Sequence, residues 1–330
     1  MMSRCRHDIL RKDHEMKIAI AGAGALGCLF GGKMVLQSQD VIFYDAWEQQ
    51  VEKLNADGMT IVEPEGDLRV TPVRATLDMD DLHDRDLIFL FVKSYDNAGI
   101  LPEIQRVIKP DARVITMQNG LGNAELIASF VGERRTLVGV TFQGGTLLKP
   151  GRVEHKAFGS TSLANYKRQT DDDLLAVVDL LQGAGFDVKA YDNVDDVIWT
   201  KLVQNAAYNA LTAITRLQMG RSISGESGQR IAQMVIEEIV AIASRKGIKL
   251  YYEDPVRDTL QIIRDKMPDV ITSMLSDVLK GRRTEIDSLN GAIVREGKAL
   301  GIPVVANEML TCLIRTLESS YDDMLLTLPD

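Results

Sequence analysis

The chain has 330 residues, more than one hydrophobic core usually supports, so two domains are expected. Its composition, 45% hydrophobic and 26% charged, is that of an ordinary globular protein and excludes a disordered or collagen-like chain. The formal net charge of −9 disfavours nucleic acid and anionic membranes as partners, and every apolar stretch is too short for a transmembrane helix. A small-molecule partner is therefore expected.

The cysteines and histidines indicate neither a disulfide framework nor a metal site. Cys5, Cys28 and Cys312 are far apart and lack the spacing of zinc ligands, and the four histidines lie away from every motif. We therefore predict no bound metal and a reducing, cytoplasmic location. Residues 1–15 lack the apolar segment of a signal peptide and are interpreted as a leader.

The first part of the chain alternates between strand and helix patterns. Residues 17–21 form an apolar strand pattern, followed by GAGALG at residues 22–27, a helix that extends to Val35, and a second strand at residues 40–44. This βαβ order predicts a parallel sheet. Further elements are predicted as a hairpin (59–62 and 68–73), strands (87–92, 114–117, 136–142, 153–163 and 186–190) and a helix (96–107). Residues 16–192 are predicted to form a Rossmann-type dinucleotide-binding domain.

After Asp192 the strand patterns end and helical periodicity continues. Helices are predicted at residues 194–217, 228–246, 256–267, 271–279, 285–300 and 307–324. Residues 193–330 are therefore predicted to form an all-helical second domain that carries the substrate site.

The three glycines of GAGALG match the dinucleotide-binding pattern GxGxxG in its expected place between a strand and a helix. The first glycine permits a tight turn, the second lets the backbone approach a pyrophosphate, and the third lets the helix pack closely on the strand. The helix N-terminus adds N–H donors and a positive dipole end. A tight turn without a ligand is the alternative. We assign cofactor binding to Gly22, Ala23, Gly24, Ala25, Leu26 and Gly27.

Asp45 ends the second predicted strand, roughly 20 residues beyond the glycines. At this position a carboxylate accepts hydrogen bonds from the adenosine ribose hydroxyls and repels a 2′-phosphate. No arginine follows immediately, so Asp45 favours NADH over NADPH. The alternative is an exposed aspartate in a turn.

Lys201, Asn205 and Asn209 are spaced i, i+4 and i+8, which places them on one face of an otherwise apolar helix. Burying such groups without partners is costly, so they must either reach water or line a polar cleft. The spacing alone does not choose between these alternatives.

Two longer segments carry a family resemblance. WTKLVQNAAYNALTAIT at residues 199–215 and SMLSDVLKGRRTEIDSLNG at 273–291 resemble ketopantoate reductase, the 2-dehydropantoate 2-reductase family. So do GAGALG, VKS at 92–94, QNGLG at 118–122 and GIPV at 301–304. The resemblance implies a Rossmann-type domain followed by an all-α domain like that of 6-phosphogluconate dehydrogenase. It also implies reduction of ketopantoate to pantoate, in the route to pantothenate and coenzyme A.

The resemblance implies a role for each matching residue. The family's catalytic lysine, which donates a proton to the keto oxygen, falls on Lys201. Its glutamate, which helps to hold the substrate hydroxyl and to organise the lysine, falls on Glu285. The substrate-binding residues of the family fall on Asn205, Asn209 and Ser273, and those facing both nicotinamide and substrate fall on Lys93 and Asn119.

Two positions depart from the family pattern. Many members have an arginine after the second strand, where this chain has Asp45. The predicted cofactor is therefore NAD(P)H, with NADPH favoured by the resemblance and NADH by Asp45. Val270 replaces an asparagine that binds substrate in some members, so a different 2-oxo acid is a second hypothesis.

A regulatory protein that binds a nicotinamide cofactor without turnover is a third hypothesis. The complete set of matching lysine, asparagine, serine and glutamate positions argues against it, because a sensor needs no proton donor. The oligomeric state is left open between a monomer and a homodimer.

Overall fold

The computed structural model describes residues 16–167 and 169–323, and the leader predicted at residues 1–15 lies outside them. The described residues form two compact units. The first comprises residues 16–118 and 123–194, and the second comprises residues 119–122 and 195–323. The predicted fold class, a parallel-sheet dinucleotide-binding fold followed by helices, is confirmed.

The first unit alternates strands with helices. Its strands are β1 (Lys17–Ala21), β2 (Asp40–Tyr44), β3 (Met59–Val62), β4 (Leu68–Val70), β5 (Arg74–Thr76), β6 (Leu87–Leu90), β7 (Arg113–Thr116), β8 (Thr136–Lys149), β9 (Arg152–Asn165) and β10 (Val188–Ala190). Its helices are α1 (Ala25–Leu36), α2 (Glu48–Asp57), α3 (Asn97–Val107), α4 (Asn123–Val131) and α5 (Asp172–Gly183).

Among the described residues these strands form one ten-stranded sheet in the order β4-β3-β9-β8-β7-β6-β1-β2-β5, with β10 beside β9. The strands from β8 through β7, β6, β1 and β2 to β5 are all parallel, whereas β8 with β9 and β3 with β4 are antiparallel. Every residue of β6 and β7 is buried. Strands covered on both faces are mostly apolar, and residues 87–90 and 114–115 therefore form short apolar runs in the sequence.

The sheet curls around α1. Strands β4 and β5 stand at opposite ends of the strand order, yet only residues 71–73 separate them. Because so short a segment spans at most about 14 Å, the two edges of the sheet lie close together. Helix α1 packs against β2, β3, β4, β8 and β9, and seven of its twelve residues are buried. This helix is consequently apolar on nearly all sides.

The second unit consists of helices and their connecting turns. Its helices are α6 (Asp195–Thr215), α7 (Met219–Ser222), α8 (Glu226–Lys246), α9 (Pro255–Lys266), α10 (Ser273–Leu279), α11 (Asn290–Leu300) and α12 (Val305–Glu318). Helix α6 is central, because α8, α10 and α12 all pack against it. In the part of the chain that is described, no helix is long and apolar enough to cross a bilayer.

Some element predictions for the first unit are wrong. Helix α2 and strand β5 were not predicted, and the second hairpin strand ends at Val70 rather than at Val73. Helix α2 buries only Gln50, Val51 and Leu54, so its apolar periodicity is weak. Strand β8 extends seven residues beyond its predicted end, because residues 143–149 are partly or fully exposed and lack an apolar pattern.

The predicted start of a helix at Glu285 is also wrong, since α11 begins at Asn290. Residues 285–289 instead form a turn in which the Glu285 carbonyl accepts hydrogen bonds from the Ser288 and Leu289 N–H groups, at 3.1 and 3.2 Å. Ile286 and Leu289 are buried in this turn as they would be in a helix, so periodicity cannot distinguish the two. The last helix begins at Val305 and ends at Glu318, and its predicted end at residue 324 lies outside the described residues.

Candidate active site

In the glycine loop between β1 and α1, two of the three glycines are required by the fold. At the third, the fold leaves room for a side chain. Gly22 has a φ of +102°, and a Cβ atom there would lie 2.7 Å from the backbone nitrogen of Val92. A Cβ atom at Gly27 would collide with the Gly22 carbonyl oxygen. A Cβ atom at Gly24 would meet no heavy atom of the described chain within 4 Å. The open backbone at Gly24 fits the close approach of a pyrophosphate.

Helix α1 begins directly after this loop. Its first intrahelical hydrogen bond runs from the Cys28 N–H to the Gly24 carbonyl oxygen, at 2.9 Å. The N–H groups of Ala25, Leu26 and Gly27 therefore belong to the first turn, whose donors have no carbonyl partner within their own helix. Such a terminus binds phosphate groups through these donors and the helix dipole. The loop of residues 22–27 therefore has the geometry that a dinucleotide pyrophosphate requires.

Asp45, directly after β2, holds the glycine loop through a hydrogen bond. Its Oδ2 accepts a hydrogen bond from the Ala23 N–H at 2.7 Å, and its Oδ1 accepts one from the Trp47 N–H at 2.9 Å. The Ala23 N–H is thus already occupied. An ionised carboxylate has about four acceptor positions, so Asp45 retains capacity for ribose hydroxyls. The sequence pattern gave no sign of its bond to Ala23.

A network of side-chain amides joins the carboxyl ends of β6 and β7, and the sequence analysis missed it. The Gln118 Nε2 group donates to the Val92 carbonyl oxygen at 2.8 Å and to Asn97 Oδ1 at 2.7 Å. The Asn97 Nδ2 group donates to Gln118 Oε1 and to Asn123 Oδ1, each at 3.1 Å. The network fixes the backbone immediately before Lys93, which is partly exposed at the start of a short turn.

Gln118 belongs to the QNGLG motif, so the motif itself was a usable signal for this network. Asn97 and Asn123 are buried polar residues at the first positions of α3 and α4. Polar residues that directly follow apolar strands could have suggested them.

In the second unit, α6 and the loop Asn119–Gly122 bring Lys201 and Asn119 together. The Lys201 Nζ donates a hydrogen bond to Asn119 Oδ1 at 2.6 Å. Asn205 and Asn209 follow Lys201 on α6, one and two turns later, with Asn205 partly exposed and Asn209 buried. These residues line one face of the helix, as their spacing predicts.

The pKa of the Lys201 ammonium lies below that of an ordinary lysine. Burial lowers the pKa of Lys201 from 10.5 to about 8, and the negative charge of Glu285 acts in the opposite direction. Desolvation disfavours a charged amine, whereas a nearby carboxylate stabilises it. A group with a pKa near the working pH combines the correct protonation state with a willingness to transfer the proton. A lysine with such a pKa can act as a general acid near neutral pH.

Glu285 is buried in the turn 285–289, which lies against the loop 119–122. The Leu121 N–H donates to the Ser288 carbonyl oxygen at 2.9 Å. Gly120 has a φ of +88° and lies so close to Ser288 that a side chain would collide with its carbonyl group. Asn119 and Glu285, which both act on Lys201, thus stand on segments that are bonded to each other.

Ser273 is the first residue of α10 and is exposed. The preceding residue, Thr272, caps this helix by accepting a hydrogen bond from the Leu275 N–H at 3.1 Å. Thr272 also shares a hydrogen bond of 2.7 Å with the Thr212 hydroxyl on α6. Ser273 is therefore attached to the helix that carries Lys201, while Val270 remains 38% exposed.

Both units of the chain are similar to proteins of one known family. The family described as Ketopantoate reductase PanE/ApbA matches residues 18–168, and the family of its C-terminal domain matches residues 193–318. The chain is 32% identical over 304 residues to a 2-dehydropantoate 2-reductase of Archaeoglobus fulgidus. The aligned region covers 92% of this chain and 98% of the relative.

Two solved structures extend the similarity to three dimensions. A PanE/ApbA family ketopantoate reductase from Ralstonia eutropha JMP134 has 34% identity and a TM-score of 0.86, and the match covers 93% of this chain and 100% of that one. A D-mandelate dehydrogenase solved with NADH and anilino(oxo)acetate has 28% identity and a TM-score of 0.84, with the same coverage. The chain therefore belongs to the ketopantoate reductase PanE/ApbA family and is an oxidoreductase of that family.

Proposed function

We propose that the protein reduces 2-dehydropantoate (ketopantoate) to pantoate with a reduced nicotinamide dinucleotide, as a cytoplasmic step towards pantothenate and coenzyme A. The observation that carries the proposal is Lys201, whose ammonium has a pKa of about 8 and is held by Asn119 Oδ1 at 2.6 Å. The names of relatives that match nearly the whole chain support the substrate.

The nicotinamide cofactor, when bound, supplies the hydride that forms the new C–H bond. The protein supplies the proton that forms the new O–H bond. Lys201 donates this proton to the keto oxygen as negative charge develops there, and its own positive charge stabilises that oxygen. Glu285 keeps Lys201 protonated before the transfer, and Asn119 orients the ammonium. Asn205, Asn209 and Ser273 provide hydrogen bonds for the polar groups of the substrate.

The glycine loop and Asp45 fit a dinucleotide. The open backbone at Gly24 and the first turn of α1 would hold the pyrophosphate, and Asp45 would accept hydrogen bonds from the ribose. Lys93 would lie beside the nicotinamide, as the family resemblance implies. The negative charge of Asp45 favours NADH over NADPH, because a 2′-phosphate would be repelled.

A second candidate is the reduction of a 2-oxo acid with an apolar side chain. Val270 is 38% exposed and lies two residues before the cap of α10, so it presents an apolar surface where a donor would be needed for a substrate hydroxyl. The similar D-mandelate dehydrogenase was solved with anilino(oxo)acetate, a 2-oxo acid with an aromatic substituent.

Steady-state kinetics with a panel of 2-oxo acids and both cofactors test the proposal. Ketopantoate should give the highest kcat/KM, and a clear preference for an apolar 2-oxo acid would instead support the second candidate. Lys201→Ala should lower kcat by about a hundredfold or more, which is the usual contribution of a general acid. Lys298→Ala removes an exposed lysine of the same unit and should have no effect. A folded Lys201→Ala variant with turnover within a few-fold of wild type would refute the proton-donor role.

A further inference from the structure

The turn that carries Glu285 is tied to α6 by a buried asparagine. Asn290, the first residue of α11, is fully buried, and its Nδ2 group donates to the Ala206 carbonyl oxygen on α6 at 3.0 Å. The same Nδ2 group donates to Asn307 Oδ1, also at 3.0 Å. Asn290 directly follows the turn 285–289, so its side chain fixes one end of that turn against the helix that bears Lys201.

The orientation of these amides is determined by their neighbours. The Glu238 carboxylate accepts hydrogen bonds from the Ala306 and Asn307 N–H groups at 2.8 and 3.0 Å, and from Asn307 Nδ2 at 2.7 Å. A carboxylate only accepts hydrogen bonds, so the NH₂ group of Asn307 must face Glu238. The Oδ1 atom of Asn307 therefore faces Asn290. The Ala206 carbonyl also only accepts, so both neighbours require the NH₂ group of Asn290 on their side.

The same turn is also tied, through Ser288, to the loop 119–122, whose Asn119 bonds Lys201. The Ser288 carbonyl accepts the Leu121 N–H, and Gly120 lies against Ser288 with no room for a side chain. Asn119 in this loop accepts the hydrogen bond from Lys201. The bonds therefore form a closed circuit within the second unit, from α6 through Lys201, the loop 119–122, the turn 285–289 and Asn290 back to α6.

We propose that Asn290 is a positioning residue that sets the distance between Glu285 and Lys201 by holding the turn 285–289 against α6. The inference rests on the proposed function, in which Lys201 is the proton donor. Loss of the Asn290 amide removes its hydrogen bond to the Ala206 carbonyl of α6 and lets the turn shift, although Ile286 and Leu289 keep it in the core. Glu285 and the Ser288 carbonyl then move together, so both the charge and the hydrogen bond that act on Lys201 change at once.

The expected consequence is specific to the protonation of Lys201. When Glu285 moves away, burial is no longer opposed by the carboxylate, and the pKa of Lys201 falls below its wild-type value. The alkaline limb of the pH profile then moves to lower pH. The value of kcat falls by about 10- to 100-fold, the usual cost of misplacing a catalytic group by about 1 Å. The KM for the cofactor changes less than kcat, because the glycine loop belongs to the other unit.

Asn290→Leu keeps the branched shape of the side chain, is larger and has no hydrogen-bond donor, and Asn290→Ser is a milder variant if the leucine variant does not fold. Thr311→Val is the matched control, because Thr311 is buried in the same unit and its hydroxyl donates to the Asn307 carbonyl of its own helix, at 2.7 Å. The pKa of Lys201 is measured by NMR titration of selectively ¹³C-labelled lysine in the full chain, with the resonance assigned by its absence in Lys201→Ala. The pH profile of kcat is measured in parallel.

A lower Lys201 pKa and a lower kcat in the Asn290 variant, compared with both wild type and Thr311→Val, would support the inference. Values equal to those of Thr311→Val would overturn it, provided that Lys201→Ala is inactive. The NMR titration needs no turnover, so it tests the positioning role of Asn290 separately from the proton-donor role of Lys201. If Lys201→Ala stays active, the proposed function fails, and with it the inference that Asn290 serves catalysis, even where the pKa moves.

Discussion

Replacing Glu285 by glutamine is expected to lower the pH at which the enzyme loses activity. Burial lowers the pKa of Lys201 to about 8, and Glu285 is the charge that opposes this effect. A neighbouring opposite charge typically changes a pKa by about 1 or more. Without it, the protonated fraction of Lys201 at pH 8 falls from about one half to about one tenth or less. Activity at pH 8 should fall by about fivefold or more through protonation alone.

The assay is kcat/KM for reduction of ketopantoate, measured across the neutral and mildly alkaline range with each cofactor. Asp287→Asn is the matched control, because Asp287 lies in the same turn but is partly exposed and paired with Arg315 at 2.6 Å. The control should keep the wild-type alkaline limb. An alkaline limb in Glu285→Gln that is unmoved, or that moves to higher pH, would refute the reasoning about how Glu285 and Lys201 interact.

Three further predictions concern the first unit. Asp45→Asn keeps an acceptor for the glycine loop but removes the charge, so NADPH use relative to NADH should rise about tenfold in steady-state kinetics, corresponding to about 1.4 kcal/mol. An unchanged ratio would contradict the cofactor argument. Gly24→Ala should weaken cofactor binding without lowering Tm, whereas Gly27→Ala should lower Tm even without cofactor, because only the latter methyl group meets the backbone. Equal changes in Tm for the two variants would contradict the different roles assigned to Gly24 and Gly27. Arg113→Met should destabilise the unit by about 3–5 kcal/mol in urea unfolding, because it leaves the buried Asp173 without its ion-pair partner at 2.6 Å. A loss below about 1 kcal/mol would contradict this account.

Local patterns in the sequence were sufficient for the architecture. The apolar strand β1, the glycine motif and the second strand β2 all lie where they were predicted, because buried parallel strands and tight strand-to-helix turns leave short-range signals. The helical second unit was predicted for the same reason. The spacing of Lys201, Asn205 and Asn209 correctly placed them on one face of α6. The sequence motifs also identified the family to which the chain belongs.

The remaining features depend on partners that are distant in sequence. Asp45 bonds Ala23, the Ser288 carbonyl bonds the Leu121 N–H, and Asn290 bonds the Ala206 carbonyl. No local pattern encodes such bonds, and Glu285 was accordingly assigned to a helix although it lies in a turn. By itself the sequence predicted most of the order of elements, the glycine loop between β1 and α1, and Lys201 as the candidate proton donor. Only the tertiary structure decided which groups surround that lysine, because its charge and orientation depend on three segments that meet only in the folded chain.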